Sequence, residues 1–445
     1  MQPATTIYAI ATPPGKSGVA VFRLSGPGAL SSLTALGVKT PLAPRMATLV
    51  TLYEPRTPNP EPRKIDTVLA LTFPAPHSFT GEDVLELHTH GSRIVTRLLL
   101  DALATIPGLR LAEPGEFARR AFHHGKFDLA QAEAIADLID ADTASQHAQA
   151  LRQLGGGLTA RVEALRARIL EPLALLEAYI DFPDEEIPDS VLAQTQTGVA
   201  ALAVELDAML ADRGIGEKIR EGIEIIILGA PNAGKSSLMN ALARRDIAIV
   251  SPEAGTTRDL LEVQLDLGGY AVTLIDTAGL RETTSGIEAE GIRRALARAE
   301  RAELKLHLVD LVTSTELSSL EKLMSDKNTL LVLTKSDLAT HPKMTQSASI
   351  ISTSTGDGME ALISRLQSEI ALRMESATSP LITRARHRES LALARDALSR
   401  FRPDLPLELA CEELRHAATA IGKITGKIAV DDVLDLVFSR FCIGK

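Results

Sequence analysis

The spacing of apolar positions changes three times along the chain. Up to about residue 118 they form short β-branched runs, such as GVAVFRLSG (18–26) and IDTVLALTF (65–73), broken by proline-rich turns. These predict strands, and the helical spacing of RIVTRLLLDAL predicts a helix over about 91–105. The segment 1–118 therefore reads as a small α+β domain. From about 119 the texture becomes rich in Ala and Leu with few breakers, predicting long helices over 129–154, 158–180 and 190–212. The GGG at 155–157 marks a break between two of them, and a bundle follows. From about 222 short apolar runs return, beginning with IEIIILG (223–229) and recurring at 270–276, 304–310, 329–334 and 349–353. Helical patterns lie between most of them, and this alternation predicts a doubly wound, mainly parallel sheet. Helical texture resumes at 386–401, 408–424 and 430–441. The economical organisation is an α/β domain at 216–379, inserted into a helical domain made of 119–215 and 380–445.

Composition narrows the picture. The 445 residues leave room for two to four domains, and 45% apolar content predicts globular folding. Against 57 acidic residues stand 47 Lys and Arg, a net charge of −10, so the chain has no broad attraction for nucleic acid or anionic membrane. RNA contact would need a local patch. Arg384, Arg386 and Arg388, or Arg119 and Arg120, are candidates, and each reads equally well as part of a solvated helix face. No apolar stretch is long enough for a spanning helix and no early segment resembles a cleaved leader, so no membrane is expected. The two cysteines, Cys411 and Cys442, lack ligand-type spacing, which points to a reducing, cytoplasmic setting without disulfides or structural zinc. Cys442 lies fourth from the end, but Gly444 and Lys445 suit a prenylation signal poorly.

The chemistry begins at GAPNAGKSS (229–237), which fits G-x-x-x-x-G-K-[ST] directly after a predicted strand. Gly229 and Gly234 permit a tight loop whose amides, from Asn232 and Ala233 through Gly234 to Ser237, would cradle phosphates. Lys235 would reach the β and γ oxygens, and Ser236 would ligate Mg²⁺. Thr257, in GTTRD (255–259), suits γ-phosphate sensing. DTAG (276–279) ends a strand, with Asp276 as the metal-side acid and Gly279, after Thr277 and Ala278, as the phosphate sensor. In TKSD (334–337) Asp337 can accept the guanine N1 and 2-amino hydrogens, and Lys335 can lie along the base. Thr334 stands where Asn is usual. In STS (352–354) the Thr353 amide, between Ser352 and Ser354, can meet guanine O6. GTP is preferred over ATP, because a site built for one hydrogen-bond pattern leaves groups unpaired with the other. One part is missing: Leu280 follows Gly279, where a water-orienting Gln is common. Arg258, Arg281, Glu282 and Glu288 are candidates, and most of them should be solvated loop charges.

Beyond these motifs, ATPPGKSGVAVFRLSG, FTGEDVLELHTHG, PGEFARRAFHHGKFDLAQAEAIADLI, DFPDEE and the terminal FCIGK resemble the MnmE (TrmE) family of tRNA-modification GTPases over essentially the whole chain. The resemblance implies a multidomain α/β and α protein: an N-terminal α+β domain for tetrahydrofolate binding and dimerisation, a helical bundle, and an inserted Ras-like P-loop GTPase domain. It implies a homodimer whose GTPase domains meet across their nucleotides. K⁺ would be held there by the Asn232 side chain with Ser251, Glu253 and Thr256, and Glu288 would orient the water. It also implies an FAD-dependent partner, MnmG, with which carboxymethylaminomethyl-type groups are built on C5 of the wobble uridine of certain tRNAs. A tetrahydrofolate derivative, 5-formyl or 5,10-methylene, would lie against Arg23, Glu86, Lys126 and Lys445. By residue type alone these four read as ordinary surface charges. Cys442 is associated with the modification reaction through the resemblance, whereas a lone Cys by itself is more often a small buried apolar residue. A GTP-dependent RNA-binding switch of ribosome assembly is the alternative. It would need an appended RNA-binding module, and the helical C-terminal part shows no convincing one.

Overall fold

The computed structural model describes residues 5–55, 63–181, 188–249, 262–276, 302–312, 327–338, 348–375, 380–402, 406–428, 434, 437–439, 441 and 444. The elements begin with β1 (Thr6–Ile10), β2 (Ser17–Ser25), α1 (Ser32–Ala35), β3 (Thr48–Tyr53), β4 (Lys64–Phe73), β5 (Val84–Gly91), α2 (Arg93–Ala104), β6 (Leu109–Leu111) and α3 (Glu116–His123). Helices follow: α4 (Leu129–Ile139), α5 (Ala144–Leu154), α6 (Gly157–Asp181), α7 (Asp189–Leu210) and α8 (Ile215–Glu221). Then come β7 (Ile223–Gly229), α9 (Lys235–Ala243), β8 (Glu262–Leu267), β9 (Tyr270–Asp276), β10 (Leu304–Asp310), β11 (Thr329–Thr334), β12 (Ser349–Ile350), α10 (Met359–Met374), α11 (Ala385–Arg400) and α12 (Leu407–Thr425).

Two compact units emerge, one of residues 1–136, 159–175 and 415–445, the other of 137–158 and 176–414. In the first, six strands lie in the order β3-β4-β5-β2-β1-β6, antiparallel except for the β1–β6 pair. Strand alternation sends Phe22, Leu24, Leu85 and Leu87 to one face, where Leu99 and Leu103 of α2 join them in the core. The helix starts where the Ser92 hydroxyl accepts from the Val95 amide at 3.2 Å. Ile7 and Ala9 bury against Phe117 on the other face. The second unit holds a six-stranded sheet in the order β12-β11-β10-β7-β9-β8, parallel except for the β8–β9 hairpin.

Five of these strands fall where the apolar runs predict them. The sixth, β8, was not predicted, although Val263, Leu265 and Leu267 alternate as a half-buried strand should. The single helix expected over 129–154 is two, α4 and α5. The physical reason is a fresh start at Thr143, where the Gln146 side-chain oxygen accepts from the Asp142 and Thr143 amides at 3.0 and 3.2 Å. Of the helix predicted at 430–441, the described residues Leu434, Val437, Phe438 and Phe441 are buried together with Leu129.

Candidate functional site

At the end of β7 the chain turns sharply. Gly229 has φ 150°, and a Cβ there would lie 2.5 Å from the Leu308 carbonyl oxygen. Only glycine allows β10 to approach so closely. Asn232, exposed on the loop, has φ 63°, and Gly234 caps α9 with φ 91°. Lys235 is 6% exposed and donates to the carbonyls of both Gly229 and Ala230 at 2.9 Å. Its ammonium thus bridges the loop from within, a position from which phosphate oxygens can replace the carbonyls. The Ser236 hydroxyl donates to Asp276 Oδ2 at 2.9 Å, and Asp276, at the end of β9, is 3% exposed. A hydroxyl beside a buried carboxylate at the mouth of a phosphate loop is the donor set that suits Mg²⁺.

The base side is assembled from two loops. Thr334 is buried, and its hydroxyl donates to the Ala233 carbonyl at 2.8 Å. The departure from Asn therefore keeps a tether between β11 and the phosphate loop. Lys335 has φ 60°, and its ammonium lies 2.7 Å from Asp310 Oδ2. Asp337 accepts from the Ser354 hydroxyl at 3.0 Å, and Ser354 lies 2.9 Å from the Ser352 hydroxyl. Hydrogen bonds from Ser352 and Ser354 hold the Asp337 carboxyl below the ordinary carboxylate range, so it stays an acceptor. A cleft of about 620 Å³ opens beside these loops, lined by Ser237, Asn240, Arg244, Thr353 and Thr355 among others. Behind the loop, burial and the Lys235 charge push the His307 imidazole below its usual value. Ser251, Glu253, Thr256, Thr257, Thr277, Ala278, Gly279, Glu288, Cys442 and Lys445 lie outside the described residues, as do Arg258, Leu280, Arg281 and Glu282.

A second cluster lies in the first unit. Arg23 on β2 and Glu86 on β5 are directly paired across the sheet, with Arg23 Nη2 and Nε at 2.9 and 3.0 Å from Glu86 Oε1. The other oxygen faces His88 Nε2 at 3.6 Å. The Arg23 guanidinium stands 5.3 Å from the Phe79 ring and 6.0 Å from Phe117, and Phe127 lies 5.9 Å from Phe79. Lys126 donates to the Pro76 carbonyl at 2.9 Å, on the segment that leads to Phe79. Lys445 itself is not described, but a Cβ on its neighbour Gly444 would meet the Ile10 carbonyl at 2.2 Å. Ile10 pairs with Phe22, next to Arg23, so Gly444 lies against this cluster's sheet. The three phenylalanines escaped the residue-by-residue reading. Their signal was density, because four of the ten phenylalanines (Phe79, Phe117, Phe122, Phe127) fall between 79 and 127.

The basic candidates for RNA contact are already engaged. Arg384 lies 2.6 Å from Asp137, Arg388 binds Glu217 and Asp212 at 2.7 and 2.5 Å, and Arg120 binds Glu82 and Glu116 at 3.0 and 2.9 Å. Arg119 and Arg386 also have partners. Acidic neighbours tie Arg120, Arg384 and Arg388 to other parts of their own units. Among the described residues no group of three or more metal-ligand side chains occurs, and no helix is long and apolar enough to cross a membrane.

Two family models match this chain. One, the MnmE helical domain, covers residues 129–442, and the other, the GTP-binding protein TrmE N-terminus, covers 6–126. A tRNA modification GTPase MnmE from Paramagnetospirillum magneticum is 49% identical over 449 residues, spanning 99% of this chain and 99% of its own. The protein of that name from Parvibaculum lavamentivorans is 50% identical over 444 residues, spanning 99% and 100%. That from Rhodospirillum rubrum is 49% identical over 451 residues, spanning 99% of each.

Proposed function

The chain belongs to the MnmE family of tRNA modification GTPases and hydrolyses GTP, and we propose that this hydrolysis drives modification of the wobble uridine of tRNA in the cytoplasm. The observation that carries the reading is the Ser236–Asp276 contact beside the loop-bridging Lys235. On GTP binding Lys235 exchanges two main-chain carbonyls for phosphate oxygens, and Ser236 and Asp276 hold the metal side. Asp337, kept ionised by its serine neighbours, selects guanine. Thr257 and Gly279 would sense the γ-phosphate, and Thr277 and Ala278 would contribute to nucleotide binding. Asn232, Ser251, Glu253 and Thr256 would hold K⁺, which with Mg²⁺ would supply positive charge where negative charge develops. Glu288 orients the water in place of the absent Gln.

In the same reading the chain is a homodimer that works with the FAD-dependent MnmG to add a carboxymethylaminomethyl-type group. A row of exposed apolar residues on the first sheet supports self-association: Leu49 pairs directly with Leu69, and they are 71% and 37% exposed. The folate derivative, which supplies the one-carbon unit, would meet Arg23, Glu86, Lys126 and Lys445. Arg23 holds the Glu86 carboxylate in place, and Phe79 offers a ring face for the pteridine. Cys442 is assigned to the modification step.

The test is GTP turnover at equal ionic strength in K⁺ and in Na⁺. A rise of about tenfold or more in K⁺ is expected, and Glu288→Ala should remove most of the turnover while leaving nucleotide affinity intact. Equal rates in the two salts discard the ion site, and near-parental turnover in Glu288→Ala discards that residue.

A further inference from the structure

Helix α5 presents three glutamines on one face, Gln146, Gln149 and Gln153, spaced three and four residues apart. Gln149 and Gln153 are almost fully buried, at 3% and 4% exposed. All three use the side-chain amide in the same way, donating to a main-chain carbonyl. Gln146 reaches Arg220 at 3.1 Å, Gln149 reaches Gly216 at 3.0 Å, and Gln153 reaches Leu381 at 2.6 Å. Gly216 and Arg220 belong to α8, which runs into β7 and so into the phosphate loop. Leu381 belongs to the segment that carries the chain from α10 to α11. One helix face therefore holds both connections of the inserted α/β region. The start of α5 also touches the sheet, where the Ser145 amide donates to the Gly269 carbonyl at 3.0 Å in the β8–β9 turn. Strand β9 ends at Asp276, beside Ser236.

The two connections are also stitched to each other. Arg220 Nε donates to the Thr383 carbonyl at 2.9 Å, and a Cβ on Gly216 would lie 1.9 Å from the Ile382 carbonyl oxygen. If adhesion were all that was needed, Leu or Met would pack here without the risk of burying amides. Amide-to-carbonyl bonds do more, because they register where each main chain sits and weaken steeply when a carbonyl shifts. Gln153 keeps its side-chain oxygen buried and without a bond among the described residues. A second arrangement in which that oxygen finds a donor would lose nothing there.

We propose that α5 is the positioning element that passes the nucleotide state of the phosphate loop to the helical part of the chain, through Gln149 and Gln153. The inference rests on the reading that GTP turnover serves tRNA modification. Both side-chain amides donate to main-chain carbonyls outside the phosphate loop, so hydrolysis itself does not need them.

The full-length double variant Gln149→Met/Gln153→Met keeps side-chain length and removes the amides. Three readouts are taken: GTP turnover, hydrogen exchange over 380–388 with GDP and with GDP plus aluminium fluoride, and wobble nucleosides by mass spectrometry. Turnover is expected to stay within about twofold of the parent, while modification falls about tenfold. The exchange difference that the parent shows between the two nucleotide states is expected to vanish. A parent that turns over GTP and modifies tRNA, matched by the variant in all three readouts, overturns the coupling alone. A parent that does neither overturns the proposed function and the coupling with it. Gln153→Met by itself, which removes the unmet acceptor along with the donor, keeps the test in force should the double variant unfold. It is expected to lose the exchange difference, and keeping it overturns the proposal.

Discussion

The phosphate loop keeps its shape through the main chain: Gly229, Asn232 and Gly234 all have positive φ, and Lys235 closes the turn onto two carbonyls. The cluster around Arg23 and Glu86 is held by side chains from separate strands and loops, joined by sheet register, an ion pair and three phenylalanine rings. The first is a site written over nine consecutive residues. The second draws on positions up to 104 apart in sequence, from Arg23 to Phe127, and it has no local signature. Damage to the first should therefore be local and catalytic. Damage to the second should be a matter of binding and should leave hydrolysis alone.

The sharpest separation is expected from Lys235→Ala. Loss of the buried ammonium proposed to contact phosphate should cut GTP turnover by about 10²–10³-fold while calorimetric affinity for 5-formyl-tetrahydrofolate stays at the parental value. Losses in both would mean that the two sites are not independent. Next in size is Glu86→Ala, which removes the acceptor of a charged pair and leaves Arg23 unmatched. Folate affinity should fall by about 30–100-fold, equivalent to about 2–3 kcal/mol, with GTP turnover unchanged. Unchanged affinity would remove Glu86 from the folate site.

Gly229→Ala probes the main-chain character of the first site. A methyl group 2.5 Å from the Leu308 carbonyl oxygen, at φ 150°, forces β7 and β10 apart. Thermal unfolding should show a loss of about 2–3 kcal/mol, and an unshifted midpoint would contradict the close approach. The smallest effect concerns pH. Folded His307 binds a proton less readily than the unfolded chain does, so stability is full above its ordinary value of 6.5 and declines as the pH falls below it. Between about pH 7.5 and about pH 5.5 the parent should lose more thermal stability than His307→Gln. Parallel losses would mean that His307 carries no such penalty.

What could be read from sequence follows the same division. Strand β7, the glycine-rich turn and Ser236 were legible because one continuous stretch sets both backbone and chemistry. The Ser236–Asp276 contact was legible in kind, since each residue ends or follows a predicted strand. The α4–α5 break was hidden because helix propensity runs through 129–154, and only the Gln146 cap decides the restart. Strand β8 was hidden because its alternation is short and its outward residues are polar. Arg120, Arg384 and Arg388 were open to a role at the surface because their acidic partners lie 4 to 247 positions away. Phe79 and Phe117 gave no periodic signal at all, and only the pairing of β2 with β5 and the return of α3 bring a guanidinium between them.

The central claim is that turnover at this phosphate loop is what drives wobble-uridine modification, and one measurement bears on it most directly. Cells lacking the protein are complemented with the parent chain or with Ser236→Ala at equal abundance, and their wobble nucleosides are quantified by mass spectrometry. The account expects the modified nucleoside to return with the parent and to stay absent with Ser236→Ala. Full restoration by Ser236→Ala, or the same nucleoside profile with and without the parent chain, would contradict it.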